Sequence, residues 1–113
     1  KKQLKIFRVP GALEIPGTIQ LILKNDEPDA ILALGVVIKG ETPHFDYVAG
    51  ESARGISELS RISEMPIING VLTTNDRQQA MKRSNPSGSN KGWDAMRAAL
   101  QMLSVYKDIQ AIS

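Results

Sequence analysis

The chain's one histidine, His44, lies in the stretch IKGETPHFDYV, directly behind a glycine, an acid, a threonine and a proline. Histidine is the side chain that titrates near neutral pH, so its neighbours decide whether it can serve as a proton carrier. Gly40 lets the backbone turn tightly. Thr42 suits a helix N-cap and Pro43 the first helical position, which makes His44 the second residue of a helix. Free amides and the positive helix end then offer an anion site beside the imidazole. Arg83, ahead of a glycine-containing loop, can supply a guanidinium to a phosphate. Lys91 beside Gly92 is a second cation, and Glu14 can meet a donor-rich ligand. Each has an ordinary alternative. His44 also fits a surface or capping residue, Arg83 compensation of a helix C-terminus, Lys91 a solvated lysine, and Glu14 the first turn of its helix. Together they point to acid–base chemistry on a phosphate-containing small molecule.

The totals narrow the field. A chain of 113 residues is one domain's worth, residues 1–113. Its 42% hydrophobic and 23% charged residues suit a globular protein in water. Fourteen bases against twelve acids leave +2, and aromatics make up 4%, so neither charge nor stacking argues for nucleic acid. Without cysteine there are no disulfides, thiolate nucleophiles or cysteine zinc sites, and one histidine cannot build a multi-histidine site. Apolar runs fall short of a membrane span, and no signal-peptide pattern opens the sequence given. The expectation is a cytoplasmic, cofactor-free and metal-free domain that binds no nucleic acid and no membrane.

Positioning such residues requires a scaffold. LKIFRV, at residues 4–9, alternates apolar and basic residues and reads as a strand. ALEIPGTIQLILK, from residue 12, carries a rough helical period interrupted by Pro16 and Gly17. AILALGVVI, at residues 30–38, is a continuous apolar run and predicts a strand buried on both faces. Phe45, Val48, Ala49, Ala53, Ile56, Leu59 and Ile62 follow three-and-four spacing, an amphipathic helix. IINGVLTT, at residues 67–74, predicts another buried strand. Asn75 with Gln78 fits a capping box for a short helix through Arg83. SNPSGSN is a loop, and the last helix shows an apolar stripe of Trp93, Met96, Leu100 and Leu103, with Trp93 read as core. The order β-α-β-α-β-α-α implies a parallel sheet with helices on both faces, joined by right-handed crossovers. Ligands of such sheets sit beyond the strands' carboxyl ends, where VPGALE, KGETPH and TTND arrive.

Four segments taken together resemble the lumazine synthase family: VPGALEIP, ALGVVIKGETPHFDYV, GVLTTND with QAMKR, and NKGWDA. They run in that family's order across nearly the whole chain. The resemblance implies a three-layer α/β/α fold with a parallel, flavodoxin-like sheet. It implies condensation of 5-amino-6-(D-ribitylamino)uracil with 3,4-dihydroxy-2-butanone 4-phosphate, the penultimate step of riboflavin synthesis, with no metal or redox cofactor. By motif, His44 matches the proton-transfer histidine. Gly40, Glu41 and Thr42 match the turn that holds the butanone phosphate, gripped also by Arg83 and by Lys91. Ala12, Leu13 and Glu14 match the segment that binds the ribitylaminouracil, and Val36, Val37 and Ile38 the strand end that lines its pocket. Asn69 stands where the family often has an aromatic residue. Family members are homopentamers, some forming 60-subunit icosahedral shells, with active sites between subunits, so Asn69 and Arg83 would serve a neighbour's His44.

Four departures accompany the match, one of them the loop SNPSGSN, which is unlike the family's common Ala-Gly-Thr-Lys-type loop though its length fits. The family carries one more strand and helix ahead of the VPGA segment, and the expectation is a fold without that first unit. Leu13 replaces a usual phenylalanine, and Asn69 is polar where stacking is common. Reduced aromatic contact implies weaker binding of the aminouracil. The alternative to an active enzyme is a catalytically weak or inactive homologue, a ligand-binding or shell-forming scaffold.

Overall fold

The computed structural model describes residues 4–39, 44–83 and 91–112. One 3-10 turn, Ala12–Glu14, leads into α1 (Ile15–Asn25), followed by β1 (Ile31–Ile38), α2 (His44–Ile62), β2 (Ile67–Thr74), α3 (Arg77–Arg83) and α4 (Lys91–Gln110). Pro16 does not break its helix, because it lies in the first turn, where its missing N–H has no helical partner to lose.

The two strands pair in parallel, Ile31 opposite Ile67 through Ile38 opposite Thr74. Two bonds extend the ladder at its ends. Ile31 N–H donates to the Pro66 carbonyl at 3.0 Å, and Lys39 N–H to the Thr74 carbonyl at 2.9 Å. In a parallel ladder this directs the odd residues of β1 and the even residues of β2 at each other. The even residues of β1 and odd residues of β2 therefore direct their backbone groups outward.

Side chains divide the sheet into two faces. A Cβ on Gly35 would meet Ile15 and Val71, whereas one on Gly70 would meet Leu34 and Ala95. Ala33 and Ile67 thus join Ile15, Ile19, Ile56 and Leu59 in a core beneath α1 and α2. The opposite face receives α4 through its buried Ala95 and Ala99. Helices on both sides of a parallel sheet make the α/β/α architecture that the element order implied.

Three sequence expectations are corrected. Residues 4–9 form no strand. A strand exists only where a ladder partner is present, and among the described residues only β1 and β2 pair. Val9 packs partly against the core, and the segment's described polar tie is exposed, with Lys5 Nζ donating to Asp26 Oδ2 at 3.2 Å. The Glu27 N–H and this lysine hold the Asp26 carboxyl below its ordinary pKa, so the tie weakens as acid protonates it.

β1 is not buried on both faces either: Leu34 is 54% exposed, Val36 46% and Ile38 41%. The cause is that α4 packs mainly over β2. On α4, Trp93 is 64% exposed and Leu100 56% exposed. The helix packs through its alanines because the sheet at Gly70 admits only a small residue. The radius of gyration, 15.0 Å, exceeds the roughly 13 Å of a compact chain this long.

Gly70 records how close that approach is. A Cβ there would lie 2.7 Å from Leu34 Cδ2, 3.0 Å from Ala95 Cβ and 3.1 Å from the Ala33 carbonyl oxygen. Gly70→Ala should lower stability by about 1–3 kcal/mol through overpacking. Urea unfolding of the variant against the parent measures it.

Candidate active site

The strand ends Ile38 and Thr74 are paired and define the carboxyl edge of the sheet. α2 and α3 follow the strands there directly. α1 runs back toward the start of β1, so its own beginning, with the Ala12–Glu14 turn, lies toward the same edge. Glu14 N–H closes the turn on the Gly11 carbonyl at 3.2 Å. Thr18 Oγ1 donates to the Glu14 carbonyl at 2.8 Å, binding the turn to α1. The Glu14 carboxylate folds toward Gly11, where an added Cβ would lie 3.1 Å from Oε1. Leu13 and Glu14 are exposed, and Ala12 packs partly against the core.

His44 is the first residue of α2 and is exposed. Its ring lies one turn from Tyr47, centroids 6.4 Å apart and tilted by 32°. Gly40, Glu41 and Thr42 lie outside the described residues, as does the side chain of Lys91, whose backbone begins α4. Val36, Val37 and Ile38 do not share one face. Val37 is buried on the α1–α2 side, and its two neighbours are exposed on the other.

Arg83 closes α3 and is exposed. The start of that helix is fixed to the strand end. Buried Thr74 donates through Oγ1 to the Asp76 carbonyl at 3.1 Å. Asp76 Oδ1 accepts from Gln79 N–H at 2.9 Å, and Gln79 Oε1 accepts from Asn75 N–H at 2.9 Å. The capping pair is therefore Asp76 with Gln79, one residue later than the Asn75 and Gln78 expected. Both pairs satisfy the spacing, and the Thr74–Asp76 bond selects the later one. Asp76 is thus a supporting residue that motif reading missed, although its signal was present in NDRQQ.

Asn69 sits opposite Ala33, five residues before the end of β2. At about 3.3 Å per residue this is roughly 16 Å from the strand end, too far to join its own chain's edge residues. Asn69 Oδ1 accepts from Val71 N–H at 2.9 Å, an amide directed at the outer edge of β2.

The family model described as 6,7-dimethyl-8-ribityllumazine synthase matches residues 1–107. The chain belongs to that family. It is 43% identical over 111 residues to the 6,7-dimethyl-8-ribityllumazine synthase of Campylobacter hominis, covering 98% of this chain and 71% of the relative. The synthase of Chloroherpeton thalassium is 40% identical over 109 residues, 96% of this chain and 70% of its own. That of Chlorobium limicola is 39% identical over 107 residues, 95% and 69%. Membership makes the chain a transferase of riboflavin biosynthesis and does not favour the scaffold alternative. Among the described residues, no helix is long and apolar enough to cross a membrane.

The cap on α3 carries a measurable expectation. Asp76→Ala should cost about 0.5–2 kcal/mol of stability by freeing the N-terminal amides of the helix that ends on Arg83. Chemical denaturation of parent and variant checks it.

Proposed function

We propose that residues 1–113 act as one lumazine synthase domain that condenses 5-amino-6-(D-ribitylamino)uracil with 3,4-dihydroxy-2-butanone 4-phosphate. The products are 6,7-dimethyl-8-ribityllumazine, phosphate and water. What supports the reading is the topology: α2 follows the end of β1 at the carboxyl edge of a parallel sheet, and the Ala12–Glu14 turn precedes a helix that runs back from that side. Family membership supplies the reaction. Imine formation, phosphate elimination, ring closure and dehydration each move a proton, and His44 carries it. Arg83 and Lys91, with the amides of Gly40, Glu41 and Thr42, hold the phosphate. Ala12, Leu13, Glu14, Val36, Val37 and Ile38 receive the ribitylaminouracil. Much of the acceleration comes from holding two substrates in one pose.

The working unit in this reading is a homopentamer in the cytoplasm, and some pentamers of this kind build 60-subunit shells. Two features support self-association. Asn69 and the strand-end residues of its own chain are too far apart for one pocket, which fits Asn69 serving a neighbour. Leu34, Val36, Ile38, Trp93 and Leu100 also leave much apolar side-chain surface in water.

Lumazine formation followed by absorbance, against a protein-free blank, tests the reading. His44→Ala should lower kcat by about 10²–10⁴-fold, the range of general acid–base help. Arg83→Ala should chiefly raise KM for the butanone phosphate, by roughly 10–150-fold, as expected for loss of a charged hydrogen bond worth about 1.5–3 kcal/mol. Parent turnover equal to the blank would overturn the proposal and leave a ligand-binding or shell-forming homologue.

Asn69 and Leu13 also imply looser binding of the aminouracil than an aromatic-lined pocket gives. Asn69→Phe should tighten that ligand about 2- to 12-fold, from a stacking gain of about 0.5–1.5 kcal/mol. A direct binding titration reads the change.

A further inference from the structure

Gly55 lies about three turns along α2 from His44. A Cβ at this position would stand 2.7 Å from Pro16 Cγ and 2.8 Å from Pro16 Cβ. Carbon atoms in ordinary contact are about 3.5–4.0 Å apart, and a pyrrolidine ring cannot swing aside as a flexible chain end can. Gly50, on the same helix, would present its Cβ to nothing within 4 Å. The absent side chain at 55 is therefore what lets α1 lie so close to α2.

Pro16 is two residues beyond Glu14, and the Thr18–Glu14 bond joins turn and helix. Ile15 and Ile19 on one helix and Ile56 and Leu59 on the other belong to a common core. Moving α1 away from α2 thus moves the Ala12–Glu14 turn as well. Ser52, one turn nearer His44, is buried, and its hydroxyl has no hydrogen-bond partner among the described residues. The contact is steric and has no such polar bond at Ser52 to hold its spacing.

We propose that Gly55 is a positioning residue. Its contact with Pro16 sets how deeply the Ala12–Glu14 turn seats against α2, and so where a ribitylaminouracil on that turn stands relative to His44. The inference rests on the reading of Ala12–Glu14 and His44 given under the proposed function. Restoring ordinary contact past an added methyl requires a shift of about 0.7–1.3 Å. A misplacement of about 1 Å can cost up to about 10²-fold in rate.

The test compares the parent with Gly50→Ala, Gly55→Ala, Pro16→Gly and the Gly55→Ala/Pro16→Gly pair. Two readouts are taken: kcat and KM for each substrate, and the Glu14–Tyr47 Cα separation in crystal structures. Gly55→Ala should widen the separation by about 1 Å and lower kcat about 10- to 100-fold. KM for the butanone phosphate should stay within about twofold, because its proposed holders lie on other segments. Gly50→Ala should match the parent, and the paired variant should recover both kcat and separation. Parent-like kcat in Gly55→Ala, an equal rise in both KM values, or no recovery in the pair would each overturn the proposal. If Gly55→Ala does not fold, Pro16→Gly alone probes the contact from the other side, and a parent-like kcat there overturns it. A parent that makes no lumazine defeats the functional reading itself, and the Glu14–Tyr47 separation still decides whether Gly55 places the turn.

Discussion

Parallel pairing of β1 with β2 is the constraint from which the remaining arrangement follows. Parallel strands cannot be joined by a tight hairpin, so the chain must leave each strand at one end and return to the other. Every strand then finishes at the same edge, and the helix that follows it starts there. The strands place α2 and α3 directly, and the return of α1 to the start of β1 brings its beginning toward that edge. Helix starts that are far apart in sequence are delivered toward one side of the sheet by this rule.

The two faces of the sheet are packed by different means. Beneath α1 and α2, branched side chains from four elements interlock, and the glycine at 55 brings the helices closer than branched residues alone would allow. Beneath α4, the contact is made by alanines resting on Gly70. A thin contact of this kind buries less apolar area per residue. It leaves the larger side chains of α4, Trp93 and Leu100, on its exposed flank. Both faces depend on an omitted side chain at one position, Gly55 on one and Gly70 on the other.

How much could be read ahead of the structure depended on whether the controlling interaction was local. β2 runs over residues 67–74 as its apolar composition and flanking turns implied, and α2 follows its three-and-four spacing. The carboxyl edge was legible because strand alternation alone fixes it. Residues 4–9 have the composition of a strand but need a ladder partner, and composition says nothing about who supplies one. The stripe on α4 was half right: Met96 and Leu103 are partly buried, whereas Trp93 and Leu100 are exposed and the fully buried contacts are Ala95 and Ala99. The cap on α3 was ambiguous by one residue until a tertiary bond from Thr74 chose between registers. The Gly55–Pro16 approach joins residues far apart in sequence, and neither reveals the other.

The Asn69–Val71 bond has a bearing on how strands can add to this sheet. The side chain occupies an amide on the outer edge of β2 that an incoming strand would otherwise use. On β1, by contrast, the even-numbered backbone groups face outward beside exposed apolar side chains. A strand arriving at β2 would first have to displace that internal bond. The net gain from a typical intramolecular hydrogen bond is about 0.5–1.5 kcal/mol, so an edge whose amide is already satisfied begins any new pairing with that much less to gain.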